Sequence, residues 1–232
     1  GQHRLVARLE SDVLSTDNQR FLVVDLPLDV PVLIVDGDPE ALDARFIAAA
    51  LAPGGPVRTG LQPQIETPRF LAVQPLDSFH AIYVANVERL DAAAVEALEQ
   101  YVAAGGGVAF FLGERSRARF INEELYKGGE GLFPAPVVRP VELLVDRLEK
   151  APDLKVTDHP IFKVLTGQRN TFLSTVLVER YFSVPEEWKP ASSEATRVIA
   201  ALRNGAPLAL EHRLGEGRVI GVNTVRADAD NV

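Results

Sequence analysis

Cysteine is missing from all 232 residues, and with it go disulfides, thiolate catalysis and Cys-based metal centres. Long apolar runs are missing too: none approaches the roughly 18 to 20 residues that a membrane-spanning helix needs. Positive charge is scarce, with 24 Lys and Arg against 32 Asp and Glu and a formal net charge of −8. A phosphate backbone is recognised by clustered cations that release counterions, so nucleic acid is not an expected partner. Histidine occurs only at positions 3, 80, 159 and 212, without the close spacing of a metal site. No metal or other cofactor is expected. What remains is the composition of a globular protein, 47% hydrophobic and 24% charged, long enough to bury a sizeable core without staples.

The chain opens on "GQHRLV" with neither an initiator Met nor an apolar leader, and stops at "ADNV" soon after a strand-like run. Both ends read as cut from a longer protein. Two β-rich runs, His3 to Leu9 and Arg20 to Leu26, flank a stretch dense in turn formers, which predicts a hairpin over residues 1–29. A two-stranded ribbon is marginal by itself, so the hairpin is expected to close an upstream β-sandwich.

From residue 30 to 232 the pattern becomes α/β. Val32 to Val35, Ala81 to Val84 and Val108 to Leu112 are short, wholly apolar runs, expected as adjacent, central, parallel strands. A helix is predicted after each. The first has Asp38 as N-cap and Pro39 as first residue and closes at Gly54; the second has Asp91 as N-cap, with Leu90 and Val95 as a hydrophobic staple. The third, "RARFINEEL", follows Ser116 as N-cap and stops at glycine. "LFPAPVVRP" has too many prolines for regular structure. "VELLVDRL" reads as a strand or a short helix, "HPIFKVLTG" as a loop with a helical turn, and "TFLSTVLVERYFSV" contains a β-rich run. "PEEWKPASSEA" is polar loop by composition. "RVIAALRNGAPLALEHRLGEGRVIGVNT" reads as three strands joined by two hairpin loops. The fold expected is a doubly wound, mostly parallel, flavodoxin-like sheet covered by helices on both faces, with a terminal antiparallel meander.

The carboxyl ends of such strands are where ligands bind, so the candidate binding edge is Asp36, Gly37, Asp38, Asn86, Gly113, Glu114 and Arg115. Asp36, Asp38 and Glu114 have the chemistry to hold a divalent cation or to act as acid and base. In the alternative, Asp38 is a cap, Asp36 braces the turn, and Glu114 is solvated or paired with Arg115. Among the histidines, His212 reads as part of an alternating polar strand face, His159 as a surface or turn residue beside Pro160, and His80 as the start of a buried strand.

"VLIVDGD" at Leu33 to Asp38 (preceded by Val32), "LEQYVAAGGGVAFFLG" and "PLALEHRLGEGRVIGVNT" resemble the class I glutamine amidotransferase-like superfamily, in its ThuA-like branch. With the hairpin residues Asp12 to Phe21, they are similar to the C-terminal region of bacterial BatA-type, membrane-anchored proteins that carry a von Willebrand A domain. The resemblance implies a Cys on the tight elbow after Val108 to Leu112, activated by a His and a carboxylate near the last strands. This chain has Leu112, Gly113, Glu114 and Arg115 at the elbow, and no His follows "GVNT". Ser116 lacks the G-x-S-x-G setting of a strained nucleophile. The expectation is a degenerate active site: a non-catalytic binding or scaffolding module whose partner is a protein, within an envelope-associated assembly. Membrane association would come through anchors outside this segment, which itself makes no membrane contact. The alternative is a carboxylate- or metal-dependent enzyme acting on a small sugar-like ligand.

Overall fold

The computed structural model describes the chain except residues 1, 9–17, 26–28, 41, 57, 145–151, 166–172, 174, 191, 193–194 and 229–232. The expected hairpin is present as β1 (Gln2–Arg8) and β2 (Gln19–Asp25), antiparallel from Gln2 opposite Asp25 to Arg8 opposite Gln19. Its turn and the second half of "VELLVDRL" lie outside the described residues.

An eight-stranded sheet organises the rest. Its parallel part contains β3 (Val30–Asp36), β4 (Leu61–Glu66), β5 (Ala81–Ala85), β6 (Gly107–Phe111) and β12 (Gly217–Val222), side by side in the order β4, β3, β5, β6, β12. Numbered by their place in the chain, these five run 2-1-3-4-5, the flavodoxin-like order. Beyond β12 come β11 (Pro207–Leu214), β10 (Thr196–Leu202) and β8 (Leu154–Val156), each antiparallel to its neighbour. The three apolar runs are therefore adjacent, parallel and interior. The final hairpins are an extension of the same sheet, and β12 is itself the fifth parallel strand. β4, "LQPQIE", lies on the edge, where a proline interrupts no inner ladder. A second sheet of β13 (Thr224–Asp228), β9 (Leu177–Phe182) and β7 (Pro140–Glu142) is separate and antiparallel.

Side chains alternate across the parallel strands. Leu33, Val35, Ile82, Val84, Val108, Phe110 and Val219 face one side, where they pack with Leu71, Leu98, Val102 and Ile121. That side is covered by the short α2 (Phe70–Val73), by α3 (Ala92–Ala103) and by α4 (Ala118–Phe120), which runs on into a π-helical turn, Ile121–Tyr126. Each such core side chain removed from water contributes about 1.5–3 kcal/mol. The cap of α3 is as read from the sequence: Asp91 Oδ1 accepts from the Ala94 N–H at 2.8 Å, and Leu90 and Val95 are both buried. The proline-rich stretch is irregular but not peripheral. Leu132, Phe133, Ala135 and Val137 are buried, and Asn122 holds the stretch by bonds to both the N–H and the C=O of Val137.

The opposite side departs from expectation. Among the described elements only α1 (Asp43–Leu51) packs there, against β3 and β4, while a 3-10 helix (Pro160–Leu165) places Phe162 against the far end of the sheet. Helices cover both faces of a parallel sheet as a rule. Among the described residues one face is covered only in part. α1 also begins later than predicted. Asp38 is not its cap, because the chain first makes a turn in which Asp36 Oδ1 accepts from the Asp38 N–H at 3.0 Å. The residue before the helix is Leu42, left-handed at φ 61° and without a side-chain cap.

Candidate functional site

The carboxyl ends of β3, β5 and β6 meet at Asn86, which follows β5. Its backbone is left-handed, φ 50°, a conformation that Asn tolerates better than most residues. Three loops depend on it. The Asn86 N–H donates to Phe111 C=O (2.8 Å), Nδ2 donates to Asp43 Oδ2 (3.2 Å), and Oδ1 accepts from the Arg115 N–H (2.9 Å). Asn86 thus ties the start of α1 to the turn after β6.

Two of the glycines read from the sequence exist to make room for it. A Cβ on Gly37 would lie 2.3 Å from the Asn86 carbonyl oxygen, and one on Gly113 would lie 2.2 Å from Asn86 Oδ1. Both distances are far inside van der Waals contact. Ser116 is not the helix cap expected of it. It is buried, its Oγ accepts from the Gly113 N–H at 3.0 Å, and it closes the tight turn that carries Glu114 and Arg115; Arg117 stands at the helix start instead.

The charged residues form a loose chain over this edge. Arg115 reaches Asp38 and Glu88, each at 3.8 Å, and Arg117 pairs with Glu88 at 3.2 Å. Glu114 pairs with Arg180 of β9 at 3.8 Å, not with Arg115. Apart from the partly buried Asp38 these side chains are substantially solvated, so the pairs contribute little to stability. The structure does bring the candidate edge residues together, but among the described residues no three carboxylates or histidines converge as a metal site would require.

A cleft of about 560 Å³ opens beside this edge, lined by Asp43, Phe46, Asn86, Phe111, Glu114 and Thr224 among others. Asp43, Phe46 and Thr224 were not found from sequence. Burial pushes the Asp43 carboxyl above the ordinary carboxylate range; the negative charges of Asp36, Asp38 and Glu114 push the same way, and the Asn86 hydrogen bond offsets only part of this. The cleft therefore holds one carboxyl biased toward its neutral form near an exposed carboxylate, Glu114.

The histidines are placed differently from the reading of the sequence. His80 precedes β5 and is exposed. His159 is buried, its Nδ1 accepting from the Ile161 N–H at 3.3 Å and its Nε2 3.4 Å from Glu211 Oε1. Glu211, in mid β11, is almost wholly buried and also bonds Arg197 at 2.7 Å and Arg218 at 3.3 Å. His212 points to the other side of the strand, buried against Thr196, whose Oγ1 lies 2.8 Å from Nδ1. None of these groups lines the cleft.

No family model matches the chain, and the search of curated proteins found no match. Solved structures match it at the level of fold. A cytoplasmic protein of Salmonella typhimurium LT2 superposes with a TM-score of 0.53 at 14% identity, over 97% of this chain and 84% of that one. An exo-β-1,4-mannosidase of an Opitutaceae bacterium, strain TAV5, gives 0.48 at 15% identity; the match covers 84% of this chain but only 31% of the enzyme. A ThuA-like protein of Bacteroides uniformis gives 0.45 at 13% identity, over 87% of this chain and 83% of that one. At such identities the likeness is one of architecture: an α/β fold built on a mostly parallel sheet.

Proposed function

We propose that the chain is a non-catalytic α/β binding module of the class I glutamine amidotransferase-like superfamily, in its ThuA-like branch, serving a larger, membrane-anchored bacterial protein. Its partner is a protein, met at the strand-end edge around Asp36, Asn86, Glu114 and Arg115. The observation that carries this reading is the use made of the turn after β6. Where the resembling enzymes present a nucleophile, the hydroxyl of Ser116 is buried and committed to the Gly113 N–H, and Asn86 fills the space beside it. Groups that would act on a substrate are instead holding three loops in place, and a fold stripped of its chemistry readily serves recognition. Exposed charges of both signs on a rigid edge suit a polar protein interface.

The test is a pull-down from envelope extracts with the wild type and an Asp36→Lys, Glu114→Lys double variant, with an Asp36→Asn variant, which keeps an acceptor for the Asp38 N–H, as the control for the turn and circular dichroism verifying that each variant folds. Loss of one or more partners from the double variant is the expected result. Equal recovery of every partner by wild type and double variant rules out this edge as the binding surface.

One observation favours a second reading, a carboxylate enzyme acting on a small sugar-like ligand. Asp43, biased toward its protonated form, shares the cleft with Glu114, and two carboxyls in unlike environments are the usual acid and base of such chemistry. Turnover of an aryl-glycoside panel that disappears in both Asp43→Asn and Glu114→Gln would establish it. Activity absent from wild type, or retained in both variants, discards it.

A further inference from the structure

We infer that β10, β11 and β12 carry an oxyanion site, in which Arg197, Arg213 and Arg218 receive the dianionic phosphate group of a phosphate monoester. The site lies away from the strand-end edge and stands whether or not that edge binds a protein. Pairing across the antiparallel ladder puts the three arginines on one face. Arg213 is directly opposite Arg218, and Arg197 is directly opposite Glu211, two residues before Arg213. Directly opposite residues have Cβ atoms about 5 Å apart and diagonal ones about 7–8 Å. The long arginine side chains span such separations, so the three guanidiniums can converge on one small group.

Two features distinguish this group from three solvated side chains. The first is a local rule broken. Like charges directly opposite on a ladder repel, yet Arg213 and Arg218 flank the β11–β12 turn, where a pair of opposite sign would be more stable. Conflicts of this kind belong to functional positions. The second is a buried anchor. The Glu211 side chain is 4% exposed and accepts from Arg197 Nε at 2.7 Å and from Arg218 Nη1 at 3.3 Å, whereas those two arginines are 46% and 56% exposed. His159 Nε2 lies 3.4 Å from the same carboxylate. Glu211 thus fixes two arginines through one nitrogen each. A guanidinium has five N–H donors, so both Nη atoms of Arg197 and the Nε and Nη2 of Arg218 remain for a ligand. Arg213 is exposed, and among the described residues no carboxylate pairs with it.

Charge selects the occupant. Three guanidiniums against one carboxylate leave two positive charges, an island on a chain whose formal net charge is −8. His159, whose Nδ1 accepts from the Ile161 N–H, carries its one proton on Nε2 and adds no charge. Glu216, the acid of the turn, sits beside the end of α3, where a Cβ on Gly105 would lie 3.9 Å from its own. A monocarboxylate would leave one charge unmet, and a polyanion or an anionic membrane would be repelled by the surrounding excess of acids. A single compact dianion satisfies both conditions, and arginine forks match phosphate oxygens bidentately.

The probes are inorganic phosphate and phosphoserine, titrated calorimetrically at low ionic strength and about pH 7.5, above the second phosphate pKa of about 6. Both should bind wild type saturably, one to one, with dissociation constants of about 1 mM or below. Arg213→Ala should weaken both about tenfold or more, as the loss of a charge-assisted pair predicts. Arg218→Lys, which keeps the charge but not the fork, should weaken both as well. Arg119→Ala removes an exposed cation from α4 and should change neither. Circular dichroism verifies that each variant folds. Heat no greater than dilution with wild type overturns the inference. So does equal weakening by Arg119→Ala, which would mean net charge and an adventitious ion only. Acetate competing as well as phosphate would make this a carboxylate site, and phosphatidylglycerol vesicles binding where phosphate does not would make it a membrane surface; either result also overturns it.

Discussion

At the scale of single residues, the candidate site is a packing problem solved around Asn86. Because the Gly113 Cβ position is already occupied by the Asn86 side chain, Gly113→Ala must displace Asn86 or the β6 turn. Overpacking of this kind costs about 1–3 kcal/mol, and a lowered denaturant midpoint with unchanged m-value is the expected readout. Asp43 works the other way. Its carboxyl is raised above the ordinary 3.8, so over that window the folded chain binds more protons than the unfolded one, and stability falls as pH rises through it. Asp43→Asn removes the penalty while an amide oxygen still accepts from Asn86. The variant should therefore melt higher than wild type at pH 7 and lose that advantage below the ordinary carboxylate range, as thermal melts across pH would record. The glycines and Asn86 were legible because they follow apolar strands directly. Asp43 was not, since only the Asp36 turn, which delays α1, brings it under Asn86.

At the scale of elements, the strands with continuous apolar runs and the helix with its own cap, α3, declared themselves in the sequence. β4 did not, because an edge strand needs neither an apolar run nor an unbroken set of N–H donors and can carry Pro63. The small sheet was equally hidden: β7, β9 and β13 lie far apart in the chain, and nothing local marks their pairing. β11 holds the least expected device, with Glu211 on one face among His159, Arg197 and Arg218, and His212 on the other. Burial holds the His212 imidazole below its ordinary 6.5, against an opposing hydrogen bond to the Ala195 backbone. Once pH drops below 6.5, the unfolded chain takes up a proton that the folded chain refuses, so stability is lost as pH falls toward the folded value. For Glu211, burial works to raise the carboxyl, but Arg197, His159 and Arg218 outweigh it and hold it low. Its contribution is lost only in more acid solution. Replacing His212 by Gln should flatten the decline in unfolding free energy between pH 7 and 5, whereas a decline as steep as that of wild type would place its origin elsewhere.

At the scale of the whole molecule, the hairpin and the α/β body are separate in their pairing: β1 and β2 form a sheet of their own. Deleting residues 1–29 should leave the melting temperature of the body nearly unchanged, and a large drop would show that the hairpin shares its core. The order of the parallel strands has a consequence for biosynthesis. β6 finishes at Phe111, but its outer neighbour β12 starts at Gly217, about a hundred residues later. At roughly 5–20 residues per second, the ribosome leaves the outer edge of β6 unpaired for about 5–20 seconds. During that interval a growing chain exposes an apolar strand edge, the template on which neighbouring chains aggregate. Slowed translation between those strands, or a truncation just before Gly217, should therefore drive the protein into inclusion bodies and holdase chaperones.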